Sequence, residues 1–173
     1  MMKEDRLSSD LKIISEIGIN YNGDFKKIEE LIRQSAIGGA NFAKFQLYNS
    51  KIVFGDDSRK KNELTFNEVK TIKEICDYFS IEFFASVFDE EKISWCEDLG
   101  VSYYKIASRT LVNDHKLCEK IIKLNKSTFI SLGFWDESIL PFDEDHVKYL
   151  NCISKYPVSS KDFVKFNYKE NIV

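Results

Sequence analysis

Residues 11–48 read LKIISEIGINYNGDFKKIEELIRQSAIGGANFAKFQLY, and this stretch contains the repeat on which the rest of the chain is built. Leu11–Ile17 is a run rich in β-branched residues, so it reads as a strand. Gly18–Gly23 is a turn of small and polar residues, and Asp24 can cap the helix that follows. That helix presents Ile28, Leu31, Ile32 and Ala36 at helical spacing and ends at Gly38-Gly39. Phe42–Tyr48 is a second strand. A strand, a helix and a strand in this order imply parallel pairing.

The pattern continues outward. A polar loop, Asn49–Asn62, leads to Thr65 and Glu68, spaced as a capping box, and to a helix with Phe66, Val69, Ile72 and Phe79 on one face. Ile81–Val87 is a third strand, Asp89–Leu99 a helix closed by Gly100, and Val101–Ala107 a fourth strand. Asp114–Leu124 is a helix carrying Leu117, Cys118, Ile121 and Leu124. Thr128–Leu132 and Lys148–Ile153 are the fifth and sixth strands, with too short a stretch between them for a full crossover helix. Residues 1–158 thus form one α/β unit, and 159–173 read as a polar tail. The repeat length suits either a (β/α) barrel or a doubly wound sheet; the absence of a G-x-G-x-x-G or Walker A loop lowers the case for the latter.

Composition excludes several classes. The chain has 173 residues, 43% hydrophobic and 31% charged, with a net charge of -3, so nucleic acid and anionic membrane are not expected partners. No apolar run approaches the ~18 residues of a membrane span. The charged start MMKEDRLSSD lacks the apolar core of a signal peptide, and the expected location is cytoplasmic. Cys76, Cys96, Cys118 and Cys152 are unevenly spaced with no C-x-x-C pair; disulfides or a zinc site are alternatives, and reduced thiols are the expectation. His115 and His146 are the two histidines, too few for a histidine-rich metal site.

The chemistry is written where strands break their own rule. A strand covered on both faces should be continuously apolar. The first strand instead carries Glu16, the second Lys44 and Gln46 on one face, and the fourth Lys105 followed by Ser108. Each charge alone reads equally as a snorkelling side chain or a structural ion pair. At equivalent strand ends of a barrel, however, they open onto one face. Two lysines and a serine there make an anion site for a phosphate or carboxylate, with a glutamate nearby for proton transfer or for orienting a polar substrate.

These same segments resemble the N-acetylneuraminate (sialic acid) synthase family. Residues 15–24 (SEIGINYNGD) are similar to its first strand and loop, 43–46 (AKFQ) to its second strand, and 84–89 (FASVFD) to its third strand end. Residues 103–108 (YYKIAS), 131–133 (SLG) and 152–157 (CISKYP) follow in family order. The resemblance implies a TIM barrel, here incomplete with about six of its eight parallel strands. It also implies an enzyme that condenses phosphoenolpyruvate with an N-acetylated amino sugar to give a nonulosonic acid. A divalent metal, manganese or magnesium, activates the sugar aldehyde in that family.

Carried over, the resemblance makes Glu16 and Lys105 the candidate catalytic residues, with Lys44, Gln46, Ser108, Ser154 and Tyr156 as candidate substrate-binding residues. Lys44, Lys105 and Ser108 would hold the phosphate and carboxylate, Glu16 would meet the sugar hydroxyls, and Gln46 would line the pocket. Ser154 and Tyr156 would close over the ligands; Tyr156 reads equally as a loop aromatic packed beside Pro157. The sequence departs from the family at Thr110, where an acid is usual, at Asn151 and at Tyr21, where histidines are usual. The family's metal-binding histidines have no counterpart in this chain. The expectation is therefore a truncated barrel, inactive alone: a decayed remnant, a split-enzyme subunit with a complementing chain, a homo-oligomer joined at exposed sheet edges, or a phosphate- or sugar-binding module.

Overall fold

The computed structural model describes residues 11–136, 138–155 and 157–165. Six parallel strands form one sheet in the order β1 (Ile14–Gly18), β2 (Phe42–Leu47), β3 (Glu82–Val87), β4 (Tyr103–Ile106), β5 (Ser127–Ser131) and β6 (Val147–Leu150). Strand order that follows chain order throughout is the winding of a (β/α) barrel; a doubly wound sheet reverses direction at a switch point. This settles the alternative that periodicity left open. Among the described residues the barrel is incomplete, with β1 and β6 each paired on one side only.

The helices are α1 (Lys26–Ile37), α2 (Ser50–Phe54), α3 (Phe66–Tyr78), α4 (Glu90–Asp98), α5 (Ser108–Asn113) and α6 (His115–Ile122). Local chemistry sets their starts. The Thr65–Glu68 capping box is present in both directions. Asp89 and Asp114 accept the backbone N–H groups of Lys92 and Leu117 at 3.0 Å. Asp24 acts one residue further out than expected: α1 starts at Lys26, and Asp24 Oδ1 accepts its N–H at 3.1 Å.

Other expectations are corrected. The predicted loop at Asn49–Asn62 contains α2, capped by Asn49 and closed by Gly55 at φ +79°, and a 3-10 turn at Lys60–Asn62. β6 lies at Val147–Leu150 rather than 148–153, because its pairing with β5 ends at Ser131↔Leu150. The tail contributes a 3-10 turn at Ser160–Lys165. No helix joins β5 to β6 among the described residues, as the short connection predicts.

The sheet's two faces have different contents. Ala43, Phe45, Leu47, Phe83, Ala85, Val87, Ile106 and Ile130 face outward into the core. There they meet Ile28 and Ile32 of α1, Val69 and Ile72 of α3, Cys96 of α4 and Ile121 of α6. The inner face begins with rings: Phe42 lies 5.8 Å from Phe84 and 4.8 Å from Tyr103, and Phe84 lies 5.5 Å from Phe129. Such tilted and edge-on pairs suit the aromatic quadrupole. Two residues further along each strand, on the same face by the pleat, stand Lys44, Ser86, Lys105 and Ser131. An aromatic floor thus lies under a polar layer at the C-terminal strand ends.

Candidate active site

Strand register brings the predicted polar residues together. Glu16 pairs with Lys44, which pairs with Phe84, and Gln46 pairs with Ser86, which pairs with Lys105. Lys44 is 5% exposed and Lys105 6%, so both ammonium groups are set into the sheet rather than snorkelling past it. Lys44 Nζ makes a 2.8 Å ion pair with the mostly exposed carboxylate of Glu16. Lys105 Nζ donates to Ser131 Oγ at 2.6 Å and to the Ile106 carbonyl at 2.7 Å. Gln46 is half-buried beside Gly18, whose absent side chain would stand 3.8 Å from Gln46 Nε2.

Electrostatically the site holds more cation than it can comfortably keep. Burial, reinforced by the Lys44 charge and opposed by Cys152 and Glu16, pushes the Lys105 ammonium down to about 7. Two lysines face one carboxylate that is itself open to solvent. An incoming anion would supply the missing negative charge.

Ser108 opens α5 directly after β4 and is buried. Its hydroxyl lies 3.6 Å from Cys152 Sγ and accepts from Ser154 Oγ at 3.4 Å, so the segment after β6 closes on the end of β4. Tyr156 lies outside the described residues. Thr110, where the resemblance wants an acid, is buried, and its carbonyl accepts from Asp114 N and Cys118 Sγ. Tyr21, in place of the histidine, is buried and donates to the Asn62 carbonyl, tying the turn after β1 to the loop after β2. That contact is close: Gly23 has φ +77°, and a Cβ there would stand 2.7 Å from the Lys61 carbonyl oxygen.

Sequence reasoning passed over Ser86, Ser131 and Cys152 as site residues. The first two carry a usable signal, since each follows an inner-face phenylalanine by two positions. Cys152 carries none, because a half-apolar run gives no sign that its thiol reaches Ser108. The other three thiols are buried, and Cys76, Cys96 and Cys118 are each pushed up to about 12, chiefly by burial.

The described residues do not fit a divalent metal. Among the described residues no three His, Cys, Asp or Glu side chains converge. His115 stacks on Phe142 at 5.2 Å, and His146 Nε2 lies 3.1 Å from the Ile122 carbonyl. No helix among the described residues is long and apolar enough to cross a membrane.

A singly wound parallel sheet with buried lysines at its C-terminal strand ends defines a barrel-type protein. Residues 31–169 match the model of the NeuB family, and the chain belongs to that family. It is 29% identical over 174 residues to the N,N'-diacetyllegionaminic acid synthase of Campylobacter jejuni, covering 84% of this chain and 52% of that protein. It is 27% identical to the human N-acetylneuraminate-9-phosphate synthase, covering 87% of this chain and 48% of that one. The crystal structure of the N-acetylneuraminic acid (sialic acid) synthetase of Leptospira borgpetersenii, in complex with citrate, superposes with a TM-score of 0.78 at 28% identity. That match covers 87% of this chain and 56% of the other. The chain spans about half the length of the curated relatives it matches.

Proposed function

We propose that this chain carries the phosphoenolpyruvate-holding part of a nonulosonic acid synthase site. In this reading Lys44 and Lys105 take the phosphate and carboxylate, with Ser108, Ser131 and Ser154 as hydroxyl donors to the same anion. Glu16 and Gln46, at the open side, face the N-acetylated amino sugar. Glu16 is free to do so because the anion replaces it as the counter-charge of Lys44. The observation that supports the reading most is the pair of lysines, each at least 94% buried, on the inner face of β2 and β4. Buried cations without a full complement of anions cost free energy that binding recovers. The relatives are named as synthases of acidic sugars, which agrees with the reading.

The same reading holds that this chain, by itself, binds phosphoenolpyruvate without turning it over. Threonine at 110 offers no carboxyl group for acid–base chemistry, and the donor set described above holds no divalent ion. The test is a calorimetric titration of phosphoenolpyruvate into the chain and into Lys105→Ala, beside an assay of phosphate release with manganese and N-acetylmannosamine. Binding that disappears in Lys105→Ala, without phosphate release, is the expected result. Absence of binding, or binding indifferent to Lys105, overturns the anion site; phosphate release overturns the second part.

A further inference from the structure

Gly133 lies two residues past the end of β5, at the point where three side chains from two other segments meet. A Cβ built on it would stand 2.1 Å from Ser154 Oγ, 2.9 Å from Cys152 Sγ and 3.1 Å from Ser108 Oγ. Ser108 follows β4, whereas Cys152 and Ser154 follow β6. The backbone of Gly133 is not in the left-handed region, so conformational freedom does not explain the glycine. Space does. The volume a side chain would fill is already occupied by two hydroxyls and a thiol, and interiors at close-packed density have no second place for them.

This contact lies beside the anion site on both sides in sequence. Ser131, two residues before Gly133, holds Lys105 Nζ, and Ser108 stands three residues after Lys105. We infer that Gly133 is a positioning residue of the anion site: its missing side chain is the space that lets the segment after β6 bring Ser154 onto Ser108 and close over Lys105. The inference rests on the phosphoenolpyruvate reading above and adds what sets the site's geometry.

The nearest atoms to the added Cβ are all ends of side chains, and none is backbone. A methyl group at 133 is therefore accommodated by turning Ser154 Oγ away about χ1, which breaks its bond to Ser108, with Cys152 Sγ at 2.9 Å giving way as well, while the outward-facing core is untouched. Affinity should change much more than stability.

The experiment titrates phosphoenolpyruvate into the parent chain, Gly133→Ala, Ser154→Ala, the double variant and Lys105→Ala, with a thermal melt of each. Gly133→Ala is expected to weaken binding about tenfold or more, a difference that calorimetry resolves easily, with little change in the melt. Ser154→Ala removes the atom at 2.1 Å together with the contact that Gly133→Ala breaks, so the two losses should not add and the double variant should bind as Ser154→Ala alone does. Parent-like binding by Gly133→Ala, or a double variant in which the two losses add, overturns the inference. Should Gly133→Ala fail to fold, the double variant compared with Ser154→Ala decides: equal affinity is expected, and a further loss overturns the inference. Loss of binding in Lys105→Ala with parent-like Gly133→Ala removes this inference alone. Binding indifferent to Lys105 removes the anion site, and this inference with it.

Discussion

Raising the pH from 7 to 9 should weaken phosphoenolpyruvate binding about fiftyfold. The perturbation acts on Lys105, whose ammonium is pushed down to about 7 by burial first and by the Lys44 charge second. At pH 7 about half of the Lys105 groups are protonated; at pH 9 about one in a hundred is. The ligand's phosphate is dianionic throughout, since its second ionisation falls near 6. An anion seated against Lys105 restores the ordinary lysine range, so binding above pH 7 must draw a proton from solvent. At pH 8 that uptake is about 0.9 proton per site, by the same titration arithmetic. Calorimetry in two buffers of different ionisation enthalpy reads the uptake directly, and a titration series over pH reads the affinity. Besides Lys105, the groups at the site that carry or can carry charge are Lys44, Glu16 and Cys152. The Cys152→Ser variant removes the thiol beside Ser108 and should keep the pH dependence. Affinity that is flat between pH 7 and 9, or proton release on binding, would refute the reasoning.

Four further outcomes follow from the same geometry. Lysine 105 is harder to protonate when folded than when unfolded, so it opposes folding most below pH 7 and progressively less toward 10.5. Lys105→Met should then stabilise the chain in urea melts by about 2–3 kcal/mol more at pH 6 than at pH 9; a gain that grows with pH contradicts this. Cys152 should be the thiol that iodoacetate labels first, with phosphoenolpyruvate slowing the reaction, because the other three are buried with raised pKa values; peptide mapping that finds another cysteine labelled first refutes it. Phe84, fully buried at the centre of the inner ring cluster, should cost about 3–5 kcal/mol on replacement by alanine, read by chemical denaturation. Among the described residues β1 and β6 each pair on one side only, which predicts self-association through strand edges, so light scattering should find species larger than the 20.2 kDa chain; a monomer at high concentration denies it.

Much of this protein is local. The capping box at Thr65–Glu68, the caps at Asp89 and Asp114 and the helical faces of α1, α3 and α6 follow from nearest-neighbour chemistry, which is why residue order suffices to place them. The side-chain period of two is also local, and it puts Lys44 with Gln46, and Lys105 opposite the core, before any partner strand is known. The resemblance to the sialic acid synthases rests on those same positions. Helices α2 and α5, of 5 and 6 residues, escaped because so short a segment completes too few turns to show a period. The end of β6 escaped because an apolar run does not say where its neighbour stops pairing.

What only the tertiary structure decided is which strand ends touch. Sequential strand order, and with it the barrel winding, is a choice among topologies that share one periodicity. The Lys105–Ser131 hydrogen bond joins residues 26 apart, and the Ser108–Ser154 contact joins residues 46 apart. The burial that pushes Lys105 down exists only once the neighbouring strands close around it. Residue type and spacing determined the presence of two cations on an inner face. Their shortage of negative charge, and the space at Gly133 on which the site closes, come from packing between segments distant in the chain, which no local pattern records.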